Sequence, residues 1–273
     1  MMQFTSPQGI RVSYRKSGSG PPLVLVHGAF SDHQTNWELV EPILRERFTL
    51  YAMARRNRGD TDTTTGHTLL DEARDVVALL RHVSPPAFLL GHSYGAHCAL
   101  NAARLAPEWV RALALYEPPR PAAMPPHACA ALDRLAAAAD WDGYPFAFFR
   151  DVIGVPLQEL EALRASELWP PIVQDAPASF EDIRALLAHP FDAADYRELR
   201  MPVCLQVGSE SRRGLYATDE LAAALPHAYL TVLPGQAHEG MTTAPQMYAE
   251  ALTRFFIEVS RRADESVFTA PPG

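Results

Sequence analysis

The chain reads as a doubly wound α/β protein, a mainly parallel sheet with helices on both faces and a helical segment inserted near its middle. Short β-branched or leucine-rich runs alternate with longer stretches of helical periodicity, the βαβ signature. The runs are apolar almost without interruption, as expected of strands buried on both faces. From about Pro121 to Tyr196 the alternation stops, and alanine-rich and leucine-rich helical stretches follow one another without a convincing strand.

Taken in order, Gln3 to Tyr14, broken by Pro7-Gln8-Gly9, reads as an antiparallel hairpin at the sheet edge. Leu23 to Val26, Thr49 to Met53, Ala87 to Leu90, Ala112 to Tyr116, Val203 to Val207 and Tyr229 to Leu233 read as central strands. Leu69 to His82, Ala96 to Leu105, Asp219 to Leu225 and Pro245 to Val259 carry apolar residues at helical spacing. The proline-punctuated segment 121–196 is a helical cap between two halves of one core, residues 1–120 and 197–273. No internal repeat is present, and Arg262 to Gly273 reads as a loose tail.

Bulk properties exclude several classes. The 273 residues carry a formal net charge of −8, with basic residues dispersed, so a nucleic-acid footprint is unsupported. No apolar run approaches membrane-spanning length. The amino terminus lacks the basic and apolar regions of a secretory signal. Three scattered cysteines suit a reducing compartment better than a disulfide framework, so cytoplasmic residence is the expectation.

Chemistry concentrates first at Gly91-His92-Ser93-Tyr94-Gly95, which follows an apolar strand and opens a helix. In that context the glycines permit a sharp turn that lifts the Ser93 hydroxyl out and aims a helix N-terminus at the reacting centre. A serine hydroxyl needs a base to take its proton. Of the ten histidines, His238 lies in Leu233-Pro234-Gly235-Gln236-Ala237-His238-Glu239-Gly240, a loop after the last strand, where open α/β sheets place their sites. Charge developing on a carbonyl oxygen needs backbone donors. The N–H of Tyr94 is one, and that of Ala29, in Val26-His27-Gly28-Ala29-Phe30, is the other. His27 reads as a structural hydrogen-bonder.

The His27-Gly28 turn, Arg55 to Gly59, the Ser93 elbow and the His238 loop, in this order, resemble the α/β-hydrolase superfamily across nearly the whole chain. That resemblance implies a nucleophile, acid and base in the chain order Ser, acid, His. It leaves the substrate open among esters, lactones, thioesters, C–C bonds, peracid formation, lyase chemistry and epoxides. Most members carry the acid as an aspartate three residues after a glycine closing the seventh strand. Here that stretch is Val207-Gly208-Ser209-Glu210-Ser211, and the expected position is Ser211. Two carboxylates can substitute. Glu117 ends the strand Ala112 to Tyr116 in a stretch resembling some haloalkane dehalogenases, whose acid is a glutamate after the sixth strand. Glu210 is one residue from the expected position, which turns a side chain the wrong way at a strand end. Glu117 is the preferred acid and Glu210 the alternative. A serine at the elbow disfavours dehalogenase and epoxide hydrolase chemistry, which in this fold use an aspartate there.

Arg55-Arg56-Asn57-Arg58-Gly59-Asp60 reads as a structural turn. In the cap, Trp141, Tyr144, Phe146, Phe148, Phe149 and Trp169 pack between helices, and some of them line an apolar pocket. No cluster has metal-ligand spacing and no glycine loop fits a phosphate. The expectation is a serine hydrolase that cleaves a small apolar ester or lactone without cofactor or metal, with no nucleic-acid or membrane partner, as monomer or homodimer. Rival expectations are non-ester chemistry on the same residues, and a binding protein of this fold that has lost turnover.

Overall fold

Apolar strand residues here alternate between two cores, because successive side chains point to opposite faces of a sheet. The computed structural model describes the backbone of residues 1–269 and the side chains of residues 1–261. The elements are β1 (Met2–Thr5), β2 (Arg11–Gly18), β3 (Pro22–Val26), α1 (Glu41–Leu44), β4 (Thr49–Ala54), α2 (Leu69–Val83), β5 (Ala87–His92), α3 (Tyr94–Leu105) and β6 (Val110–Tyr116). There follow α4 (Pro126–Ala137), α5 (Gly143–Phe148), α6 (Leu157–Arg164), α7 (Trp169–Ala188), β7 (Val203–Gly208), α8 (Thr218–Ala224), β8 (Ala228–Leu233), α9 (Gly240–Thr243) and α10 (Pro245–Thr269).

The sheet order is β1-β2-β4-β3-β5-β6-β7-β8. β1 and β2 form the antiparallel hairpin, β2 joins β4 antiparallel, and all later pairings are parallel. Val24, Val26, Leu89, Leu113 and Leu115 face the core shared with α2 and α3. Leu23, Leu25, Phe88, Leu90, Ala112 and Ala114 face the opposite core, closed by α1 and α10. Thr68 caps α2 reciprocally with Asp71, satisfying two of the free N–H groups of that helix start.

Between β6 and β7 the regular elements among the described residues are all helices, and these gather around a third cluster. It contains Ala128, Leu132, Tyr144, Ala147, Ala176 and Ile183 together with Phe30 from the loop after β3. Phe30 touches three of the aromatics, with ring centroids 4.9 Å from Phe148, 5.1 Å from Phe149 and 6.1 Å from Tyr144.

Two expectations are corrected. β8 is not a central strand buried on both faces: it is the sheet edge, and Tyr229, Leu230 and Val232 are 42 %, 46 % and 49 % exposed. Its apolar composition alone does not reveal that no ninth strand follows among the described residues. Nor does the last helix stop at Val259 before a loose tail. α10 continues to Thr269, since Arg261 to Thr269 contains neither Gly nor Pro to end it; residues 270–273 lie outside the described residues. None of the described helices is long and apolar enough to cross a membrane.

Candidate active site

Parallel strands deliver the loops that follow them to one edge of the sheet. The loops after β3, β5, β6, β7 and β8 accordingly bring His27 to Phe30, Ser93, Glu117, Ser211 and His238 together. Ser93 adopts φ 53° and ψ −123°, a strained left-handed conformation at the strand-to-helix turn. The flanking glycines are required sterically. A Cβ on Gly91 would stand 2.6 Å from Ala96 Cα, and one on Gly95 would collide with the carbonyls of Val26 and His27. Gly28 packs directly on the elbow, its Cβ position lying 3.1 Å from Ser93 Cβ.

His238 Nδ1 donates to Glu117 Oε2 at 2.7 Å, leaving Nε2 as the nitrogen free for another proton. Glu117 is fully buried and has φ 48°. Its other oxygen accepts from Gly208 N–H at 2.8 Å and from the Ser211 hydroxyl at 2.5 Å. Burial alone would raise the Glu117 pKa; the hydrogen bonds and charge of His238, with those from Ser211 and Gly208, outweigh it and hold the carboxyl below its usual range. Burial alone would lower that of His238; the Glu117 hydrogen bond and charge outweigh it, and the imidazole is pushed up. Glu210, the alternative acid, is exposed and accepts from Ser209 Oγ at 2.9 Å.

The His238 imidazole sits in an aromatic slot. Tyr216 stacks on it with centroids 5.1 Å apart at 14°, and His92 lies 4.8 Å away. The loop backbone is tied from below: Tyr116 Oη donates to the Ala237 carbonyl, and His92 Nε2 lies 3.2 Å from the His238 carbonyl. Asn36 Oδ1 accepts from Gly28 N–H at 3.0 Å and lies 3.0 Å from His92 Nδ1. One buried amide oxygen thus links the elbow to the glycine turn.

His27 Nε2 accepts from Arg55 N–H at 3.3 Å, so its proton is on Nδ1, which donates to Gly28 O at 2.8 Å. Burial and the Arg55 and Arg58 guanidiniums hold His27 well below its usual pKa and therefore neutral. Arg55 is fully buried between Glu72 and Asp182, at 2.9 and 2.7 Å. The basic turn is structural as expected, and it reaches α7, a partnership across 127 residues that nothing in the local sequence signals.

Tyr216, Asn36, Ser179 and Asp182 were not singled out from the sequence. His92 was visible inside the elbow motif, but its neutral partners left no spacing signal. Two groups of three donors lie within metal-binding reach among the described residues: His92, His238 and Glu239, and His67, Glu72 and Asp182. In the first, His238 Nδ1 is held by Glu117; in the second, both carboxylates hold Arg55. A cavity of about 520 Å³ lies far from all this, against α10, lined by Arg111, Tyr229, Arg254 and Phe255.

A strained serine elbow, a buried Glu–His pair and a glycine turn packed on the serine thus stand together at one edge of the sheet. The chain belongs to the alpha/beta hydrolase family, whose model matches residues 23–251. It is 28 % identical to a 2-(acetamidomethylene)succinate hydrolase from Mesorhizobium japonicum, over 90 % of this chain and 91 % of that protein. A crystal structure of an α/β hydrolase from Sphaerobacter thermophilus superposes with a TM-score of 0.82 at 28 % identity, covering 93 % of this chain and all of the other. An esterase from a Rhodococcus species shares the fold, with a TM-score of 0.75 at 21 % identity over 95 % of this chain and 98 % of the other. Hydrolase is the class of activity that the family and these relatives support.

Proposed function

We propose that the chain is a serine hydrolase acting by acyl transfer to water, with carboxylic esters or lactones of modest, largely apolar substrates as its natural class. The observation that carries this reading is the 2.7 Å hydrogen bond from His238 Nδ1 to buried Glu117, beside a serine held in a strained elbow. With Nδ1 engaged, His238 Nε2 takes the Ser93 proton as Oγ attacks the substrate carbonyl. The Tyr94 and Ala29 N–H groups hold the oxyanion; Phe30 N–H is committed to Ser179, which leaves Ala29 as the donor of its loop. His238 then protonates the leaving group, and water, deprotonated by the same nitrogen, releases the acid and restores Ser93. Residues 121–196 act as the lid, with the Tyr144, Phe148 and Phe149 cluster on Phe30 supplying the apolar wall.

A second reading is favoured by the Mesorhizobium relative, whose named substrate carries an acetamide and two carboxylates: amide cleavage by the same residues. Purified wild type and Ser93→Ala, assayed with p-nitrophenyl esters, matching p-nitroanilides and a fluorophosphonate probe, decide between them. Ester turnover and labelling that both vanish in Ser93→Ala support the first reading. Preference for anilides supports the second, and a folded wild type with neither turnover nor labelling would leave a binding protein.

A further inference from the structure

The peptide that carries the Ala29 N–H also carries the Gly28 carbonyl, and because a trans peptide is planar, fixing one fixes the other. Gly28 O accepts from Arg55 Nη2 at 2.9 Å and from His27 Nδ1 at 2.8 Å, so both its lone pairs are taken on the side away from the N–H. The next peptide, between Ala29 and Phe30, is held at its N–H by Ser179 Oγ at 2.6 Å. Phe30 has φ 55°, a conformation that a residue with a Cβ leaves unless something holds it. Ser179 lies on α7, 149 residues away, and is fully buried. Its hydroxyl is itself oriented: it donates to Asp175 Oδ2 at 2.6 Å, which turns its lone pairs toward Phe30 N–H and Arg58 Nη2. One turn further along α7, Asp182 holds the Arg55 guanidinium that grips Gly28.

We propose that Ser179 is a positioning residue for acyl transfer. By taking the Phe30 N–H it fixes the loop that presents the Ala29 N–H, so the inserted helices build the oxyanion hole as well as cover it. The role rests on the proposed serine-hydrolase reading. A donor that meets charge only in the transition state affects kcat more than KM. Without Ser179 Oγ, the Phe30 peptide can relax out of its left-handed conformation and pull on Ala29 Cα, twisting the Ala29 N–H off the oxyanion while Arg55 and His27 hold that peptide at its Gly28 carbonyl alone.

The test uses the full chain as wild type, Ser179→Ala and Ser179→Thr, with thermal unfolding confirming that each is folded. Steady-state ester hydrolysis, inhibition by a trifluoromethyl ketone that forms the tetrahedral adduct, and amide exchange of residues 28–31 are measured on each. In Ser179→Ala, kcat falls roughly 10- to 100-fold while KM stays within about two-fold. Inhibitor affinity falls in parallel, exchange at Phe30 accelerates, and Ser179→Thr, which keeps the hydroxyl, recovers most of the loss. A wild type that turns over but is matched by Ser179→Ala overturns the role assigned to Ser179, and so does a loss carried by KM with inhibitor affinity unchanged. A wild type without Ser93-dependent turnover overturns the hydrolase reading instead, while faster Phe30 exchange in Ser179→Ala would still support the loop contact.

Discussion

The Ser211 hydroxyl donates to Glu117 Oε1 at 2.5 Å, so the residue at the position where the superfamily resemblance leads one to expect the acid serves a glutamate supplied by another strand. The register explains why this works. β6 and β7 run parallel with Tyr116 opposite Gln206, so residues just beyond either strand emerge at the same place beside the His238 loop. A carboxylate from either strand end can reach the imidazole, and here Glu117 does so while the N–H of Gly208 and the hydroxyl of Ser211 fill its other oxygen.

Replacing Glu117 by Gln keeps the shape and removes the charge that orients His238 and stabilises its protonated form. An amide in place of a triad carboxylate costs on the order of 10⁴-fold in kcat. Glu210→Gln, altering an exposed side chain bonded to Ser209, leaves kcat/KM unchanged. Ester hydrolysis by the two variants checks this, and the reverse ranking would move the acid to Glu210.

Ser211→Ala removes a hydrogen bond to a buried carboxylate. Because Ser211 is half-buried, the loss is set at about 1.5 kcal/mol, the lower end for a bond to a charged group. The carboxylate, having lost a donor, becomes more basic and holds the His238 proton more tightly, so the acid limb of kcat/KM moves to higher pH. Urea unfolding and a pH–rate profile report the two effects; an unshifted limb with full stability would show that Ser211 does nothing for Glu117.

The same pair makes stability depend on pH with a defined sign. His238 titrates above its ordinary 6.5 in the folded state, so its contribution is complete below that value and is lost as pH rises through the folded pKa. Glu117 titrates below its ordinary 4.5, so its contribution is complete above 4.5 and is lost as pH falls through the folded pKa. The stability difference between wild type and Glu117→Gln is therefore largest between 4.5 and 6.5 and shrinks on both sides. Denaturant midpoints from well below pH 4.5 to well above pH 6.5 measure it, and a difference flat over that whole span would contradict the coupling. Activity follows the opposite sense at the base: kcat/KM rises with pH through a value above 6.5 as His238 loses its proton.

Legibility divides along the range of the interactions. Strands such as Leu23 to Val26 and Ala87 to Leu90 are readable because both of their faces are buried, which leaves an unbroken apolar run. The elbow is readable because a steric need, no Cβ at residues 91 and 95, is written directly as glycine. Edge placement is not, and β8 shows why: Tyr229, Leu230 and Val232 are as apolar as a central strand but lie half-exposed with no further strand beyond β8 among the described residues. Nor is the partner of a buried charge. Arg55 to Gly59 reads locally as a turn, while Asp175, Ser179 and Asp182 read locally as the polar positions of a helix, and only the fold brings them together.

That meeting of charges leads to a stability prediction with a built-in contrast. Asp182 is fully buried and receives two hydrogen bonds from Arg55 and two from Arg58, at 2.7 to 3.1 Å. Removing one partner of a buried ion pair leaves the other desolvated and uncompensated, at a cost of about 3–5 kcal/mol. Asp182→Asn retains the shape but not the charge and belongs at the lower end of that range, since Glu72 still meets Arg55 and Asp175 still meets Arg58. Arg11 and Asp62 form a pair of similar length, 3.0 Å, but their side chains are 57 % and 34 % exposed. Water already solvates that pair, so Arg11→Gln costs less than about 1 kcal/mol. Unfolding free energies of the two variants test the ranking, and equal losses would mean that Asp182 does not carry the link between α7 and the Arg55 turn.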